Sequence, residues 1–127
     1  MKKLIVIFII LFITLTSFFR EYPSKVINVY DGDTITLEVN LGFDIIKTEK
    51  IRLYGINAPE LRGAEREEGL KSRDALRKKI LNKEVRLETL PKDKKGKYGR
   101  TIGTIWIGDE NINNWMVMND YAVVKHY

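Results

Sequence analysis

Cysteine is absent from the 127 residues, and His126 is the single histidine. The first absence excludes disulfide scaffolds, thiolate nucleophiles and Cys-based zinc sites. The second argues against multi-histidine metal sites and acid–base dyads built on imidazole. Serine is scarce, at 17, 24 and 72, and none lies in a G-x-S-x-G setting, which argues against a serine hydrolase. No internal repeat or low-complexity tract interrupts the chain. The chemistry left to it rests on carboxylates, Arg, Lys, Tyr and a hard metal ion, in a length that accommodates one domain.

The formal charge is +5. Setting aside Lys2 and Lys3 leaves 20 basic against 17 acidic side chains from Arg20 onward. The excess is local: Arg77 to Arg100 holds ten Lys/Arg against Glu84, Glu88 and Asp93. Such a stretch suits an anionic polymer or an anionic membrane surface, and equally a solvated helix end and loop.

Met1-Lys2-Lys3 precedes sixteen uncharged residues, Leu4 to Phe19, and then Arg20-Glu21. A short positive stretch before an apolar helix is the layout of a secretory signal, or of an N-terminal anchor where cleavage does not follow. Thr14-Leu15-Thr16 and Leu15-Thr16-Ser17 offer small residues but no A-x-A site. Both alternatives leave the positive end in the cytoplasm and export the remainder. The expected division is therefore 1–20 as signal peptide or membrane anchor and 21–127 as an extracytoplasmic domain, secreted or tethered through residues 4–19.

Within that domain, Lys25 to Tyr30 reads as a strand, Asp31-Gly32 as a tight turn, and Thr34 to Val39 as a second strand with Ile35, Leu37 and Val39 on one face. Phe43 to Tyr54 reads as a third, longer strand, which Pro59 forces to end. Residues 64–81 predict a helix, with Leu70, Leu76, Ile80 and Leu81 on its apolar side. Glu84 to Leu90 and Thr101 to Ile107 predict two further strands around a charged loop. Ile112, Trp115, Met116 and Asn119 have the spacing of a short second helix. The order predicts an α+β, mainly β fold: a five-stranded Greek-key barrel of the oligonucleotide-binding (OB) type with two to three flanking helices.

Three stretches carry chemistry. Asp31-Gly32-Asp33-Thr34 sets two carboxylates beside a tight turn, which an Asp-Gly hairpin also explains. Arg52 to Glu60 places an arginine at a strand end and a carboxylate just past a rigid proline, which an Arg–Glu pair at the strand exit also explains. Together they offer Asp33, Asn57 and the Ala58 carbonyl as oxygen donors, a set suited to Ca²⁺. In Lys97-Tyr98-Gly99-Arg100, tyrosine can stack on a base and arginine can fork onto a phosphate; a plain glycine turn fits the same residues.

D-G-D-T, R-L-Y-G-I-N-A-P-E and K-Y-G-R, in this order around one helix, resemble the staphylococcal (thermonuclease-like) nuclease family, as does Asn111-Ile112-Asn113 before the last helix. The resemblance covers residues 24–125. It implies an OB barrel and a Ca²⁺-dependent, sugar-nonspecific phosphodiesterase that acts on DNA and RNA and leaves 3′-phosphates. It further implies Asp33 as a metal ligand with Asp31 close by, Asn57 and the Ala58 carbonyl in the remaining protein-ligand positions, and Glu60 as general base. Arg52 and Arg100 correspond to the guanidiniums on the scissile phosphate, and Lys97 and Tyr98 to nucleotide contacts. Asn57 stands where the best-known member carries an aspartate, and Lys125-His126-Tyr127 replaces a tyrosine-containing contact. The expected protein is a monomeric exported nuclease. The alternatives are a catalytically silent nucleic-acid-binding barrel on the membrane and a protein that uses its basic stretch on anionic lipid.

Overall fold

The computed structural model describes residues 20–90 and 95–127; the expected N-terminal signal or anchor helix lies outside them. β1 (Arg20–Asp31), β2 (Thr34–Asn40) and β3 (Ile46–Leu53) form an antiparallel meander. A two-residue strand β4 (Ile56–Asn57), a 3₁₀ turn (Gly63–Glu65) and helix α1 (Arg66–Ile80) lead into β5 (Glu84–Thr89). A second 3₁₀ turn (Lys97–Gly99) opens β6 (Thr101–Ile107). The short β7 (Glu110–Asn111), helix α2 (Ile112–Met118) and β8 (Val123–Val124) complete the chain.

Neighbours run β3-β2-β1-β5-β6, and β6 returns to β3 in parallel register, Ile51 facing Thr101 and Leu53 facing Gly103. That pairing closes the five-stranded barrel the strand order predicts. The interior is aliphatic: Val26 and Val29 from β1, Ile35 and Leu37 from β2, Ile51 and Leu53 from β3 are fully buried. Leu76 and Ile80 of α1 and Ile112 and Met116 of α2 seal the barrel's openings. Val26 and Val29 share the interior despite odd spacing because the β1–β2 register shifts between Val26 and Asn28. A second shift between Val29 and Asp31 re-aims the end of β1 toward the turn that carries Asp33.

Two boundaries differ by three residues or more from the pattern-based expectation. β1 starts at Arg20 and runs through Pro23, which is paired with Arg86 of β5 but not with β2. With one neighbour there, the missing N–H of proline costs the ladder nothing. β3 starts at Ile46, not Phe43, because Phe43 and Asp44 both adopt positive φ, 52° and 59°, which no strand accommodates.

The buried side of α1 is also smaller than the leucine spacing suggests. Gly69 and Ser72 are buried with Leu76 and Ile80, while Leu70 is only partly covered. A Cβ on Gly69 would run into the Glu60 carbonyl, and one on Gly32 into Ser72 Oγ and Ala58 Cβ. The helix thus lies hard against both the β1–β2 turn and the 58–60 loop, and positions the two stretches that carry the candidate chemistry.

Candidate active site

Asp31 begins the site. Its Oδ1 accepts the Asp33 N–H at 3.0 Å, the local bond that favours Asp at a turn and fixes Asp33. Asp33 is 8% exposed, and both of its oxygens are engaged. Oδ1 accepts the Thr34 hydroxyl at 3.1 Å, and Oδ2 accepts the Ala58 N–H at 2.8 Å. Arg52 Nη2 lies 3.3 Å from the same Oδ2. Burial first, and then the neighbouring Asp33 charge, push the Asp31 carboxyl up to about 6.

Arg52 sits one residue before the end of β3 and ties the site together. Nη1 donates to the Leu53 and Ile56 carbonyls at 3.0 and 2.9 Å, and Nη2 donates to Asn57 Oδ1 at 2.7 Å. The Asp33 and Asn57 oxygens therefore converge on one cationic nitrogen. The structure engages Ala58 through its N–H, whereas the motif pointed to its carbonyl.

Glu60 is exposed on the rim, and its carboxylate has no partner among the described residues; its backbone N–H donates to Glu65 Oε2 at 3.0 Å. Opposite, Arg100 follows the Lys97–Gly99 turn. Nη1 donates to Thr34 Oγ1 at 3.2 Å, and Nε donates to the Lys97 carbonyl at 3.2 Å. The Tyr98 ring lies 5.5 Å from this guanidinium and is 88% exposed, while Lys97 is exposed beside it. Tyr98 holds φ at 61°, which turns the chain sharply ahead of Arg100. Every residue singled out in the three motifs lines one open cleft of about 1200 Å³.

Four residues hold the site in place in roles that the motifs do not state. Thr34 bridges Arg100 and Asp33 through its single hydroxyl, and its place inside D-G-D-T is the one signal that points to it. Asn113 is buried, with its amide donating to the Tyr54 and Gly103 carbonyls and accepting the Ile105 N–H. It thereby pins the end of β3 to β6. Tyr127 stacks on Tyr54 with centroids 5.3 Å apart, and its hydroxyl accepts the Gly55 N–H at 3.1 Å. With β8 paired to β4 through Asn57 and Val123, the C-terminal residues strap the segment that presents Asn57. Ser72 Oγ donates to the Tyr121 carbonyl at 2.7 Å and anchors that strap to α1. His126 is exposed.

All ligand-type atoms at the centre are oxygens. Among the described residues no three His, Cys, Asp or Glu side chains cluster as a metal cage. Two neighbouring carboxylates, Asp31 pushed upward by burial and then by the Asp33 charge, with an amide oxygen facing the same point, fit a hard cation that keeps much of its coordination for water and substrate.

Residues 50–127 match the staphylococcal nuclease homologue family. The thermonuclease of Staphylococcus hyicus is 32% identical over 111 residues, 85% of this chain and 62% of that protein. The thermonuclease of Staphylococcus intermedius is 34% identical over 102 residues, 78% of this chain and 57% of that protein. A Haemophilus influenzae protein named as an uncharacterized endonuclease is 33% identical over 122 residues, 95% of this chain and 63% of that protein. The chain thus spans about three fifths of the length of these curated relatives. A closed five-stranded barrel, a cleft that gathers all three motifs, and these similarities give one answer: the chain belongs to the staphylococcal nuclease family.

Proposed function

We propose that this protein is a calcium-dependent, sugar-nonspecific endonuclease that hydrolyses phosphodiester bonds of DNA and RNA outside the cytoplasm, as a monomer secreted or tethered through residues 4–19. The observation that carries this reading is the convergence of Asp33, Arg52, Glu60 and Arg100 on one cleft. A silent binding barrel needs the basic and aromatic rim of Lys97 and Tyr98, but has no use for a carboxylate, unpartnered among the described residues, lining the same cleft as two arginines.

The chemistry needs a water deprotonated in line with the leaving oxygen, and positive charge on the phosphoryl oxygens. Glu60 suits the deprotonation, because its carboxylate is free to accept a proton from water on the cleft side. As that water attacks phosphorus, the bond to the 5′ oxygen breaks; that oxygen takes a proton from solvent water and leaves as a 5′-hydroxyl, and a 3′-phosphate remains on the other strand end. Arg100 suits the charge stabilisation, because Thr34 and Lys97 occupy only Nη1 and Nε and leave Nη2 for a phosphate oxygen. Arg52 Nη2, which Asn57 and Asp33 share, is the atom that would turn to the phosphate, leaving those two oxygens free to hold a cation. Asp33, Asn57 and the Ala58 carbonyl would hold Ca²⁺ with Asp31 adjacent, and the ion would supply further charge stabilisation on the phosphate. Contacts to phosphate rather than to base edges or the 2′-hydroxyl make the site indifferent to the sugar.

The test is cleavage of single-stranded DNA by the purified full chain, with millimolar Ca²⁺ and with chelator, beside Glu60→Gln. Calcium-dependent cleavage that disappears in Glu60→Gln supports the reading, whereas binding without cleavage identifies a silent barrel. Asn57→Asp is expected to lower the Ca²⁺ concentration for half-maximal cleavage, because ligand charge tunes affinity at oxygen sites. A calcium titration with an unchanged or higher midpoint would remove Asn57 from the site.

A further inference from the structure

The loop between β2 and β3, Leu41–Ile45, is the most apolar exposed feature of the described residues. Phe43 at its apex is 99% exposed, and Leu41, Ile45 and Ile46 beside it are each about half exposed. The loop is a built element. Leu41 N–H donates to the Ile45 carbonyl and Ile45 N–H to the Gly42 carbonyl, both at 2.9 Å, and Gly42 N–H donates to Asn40 Oδ1 at 2.8 Å. Phe43 and Asp44 hold successive positive φ values, a conformation that costs free energy in non-glycine residues. Backbone strain and ordered hydrogen bonds thus hold a phenylalanine in solvent, where an apolar cluster this size is unfavourable unless something covers it.

Where the loop sits names its occupant. The β1–β2 ladder runs from the Ser24–Val39 pair at one end to the Asp31–Thr34 pair at the other. The catalytic turn lies at the Asp31–Thr34 end. The loop and Arg20 both lie beyond the Ser24–Val39 end, and Arg20 is the residue to which the uncharged run Leu4–Phe19 is joined. Four residues span at most about 14 Å, so that junction stays close to the last rung. A chain held in a bilayer by residues 4–19 therefore presents this end of its barrel to the lipid and the cleft end to solvent.

We propose that the Leu41–Ile45 loop is a second membrane contact, inserting Phe43 and its aliphatic neighbours at the headgroup–acyl boundary and fixing the barrel with its cleft facing away from the bilayer. The proposal rests on residues 4–19 being membrane-inserted, and is independent of the chemistry in the cleft. Asp44 sets the depth: a carboxylate next to Phe43 stays among headgroups, so the contact is interfacial. An aromatic apex flanked by aliphatic residues is suited to that layer.

The absence of native cysteine makes a single-site label unambiguous. The full chain carrying Phe43→Cys or, as control, Glu67→Cys on the exposed face of α1 would be labelled with the environment-sensitive fluorophore NBD. It would then be reconstituted into phosphatidylethanolamine–phosphatidylglycerol vesicles. Flotation of the chain, with blue-shifted emission and quenching by headgroup-level nitroxide lipids at residue 43 but not at 67, is the expected result. A floating chain whose residue 43 label stays as solvent-exposed as that at 67 overturns the proposal. So does a chain that does not float, which removes the anchor as well. A residue 43 label equally shielded in the dilute lipid-free chain also overturns it, and assigns the loop's cover to residues 1–19 or a second copy. Cleavage assays are untouched by all of these outcomes.

Discussion

Replacing Arg52 with methionine is expected to damage both catalysis and stability, the first by a factor of about 10² to 10³. The two losses have different origins. Arg52 bonds the Leu53 and Ile56 carbonyls, Asn57 and Asp33, and its side chain is only 13% exposed. Methionine fills similar volume but leaves two backbone carbonyls without that donor and Asp33 without its cation. Removing one member of a buried ion pair typically costs about 3–5 kcal/mol. Asp33 keeps the Thr34 hydroxyl and the Ala58 N–H, which places the expected cost nearer 2–3 kcal/mol. For a domain of this size that lowers the melting temperature by about 10 °C. Thermal melting without substrate, beside single-turnover cleavage, separates the effects. Wild-type melting would show that the contacts around Arg52 do not hold the 53–57 segment, and wild-type cleavage would remove Arg52 from the chemistry.

Arg52 also marks how far the sequence is legible. Its place at a strand end and its membership in R-L-Y-G-I-N-A-P-E are plain from the residues. Its four partners are not, because they depend on how β3 leaves the sheet and where the β1–β2 turn lands. Thr101–Ile107 is readable to the residue, as a continuous run bounded by the turn at Gly99 and the Gly108 turn. Phe43 to Ile45 misleads, since apolar composition reads as strand while the backbone at Phe43 and Asp44 turns left-handed. Gly69 and Ser72 escape notice on α1 because hydrophobicity patterns do not register small residues, and contact with Glu60 and the β1–β2 turn demands small ones. Thr34, Asn113 and Tyr127 lie in stretches the sequence marks, but their roles are not readable there, because their hydrogen bonds join residues up to 72 positions apart. The candidate catalytic groups are legible because short motifs carry them; what holds those groups in place is not.

Arg100→Lys carries the other large effect, and it differs from Arg52 in kind. Arg100 is partly exposed, and among the described residues, apart from one neighbouring carbonyl, its side chain touches the Thr34 hydroxyl and lies over the Tyr98 ring. Its loss should therefore leave stability within about 0.5 kcal/mol of wild type. Catalysis is another matter. A guanidinium anchored by Nε and Nη1 still presents Nη2 toward phosphate, so its position is fixed before substrate arrives. An ammonium has the same charge but no fork, and cannot keep the Lys97 and Thr34 contacts while reaching a phosphoryl oxygen. Losing one such pre-aimed donor typically costs about 3–4 kcal/mol in the transition state. Arg100→Lys should thus fall in turnover almost as far as Arg100→Ala, about 10²-fold or more, while substrate affinity at low salt falls less because the charge remains. The decisive comparison is turnover and binding of both variants at one salt concentration. Near-wild-type turnover in Arg100→Lys would mean that charge alone suffices at this position, and that the fork held by Thr34 and Lys97 plays no part in the reaction.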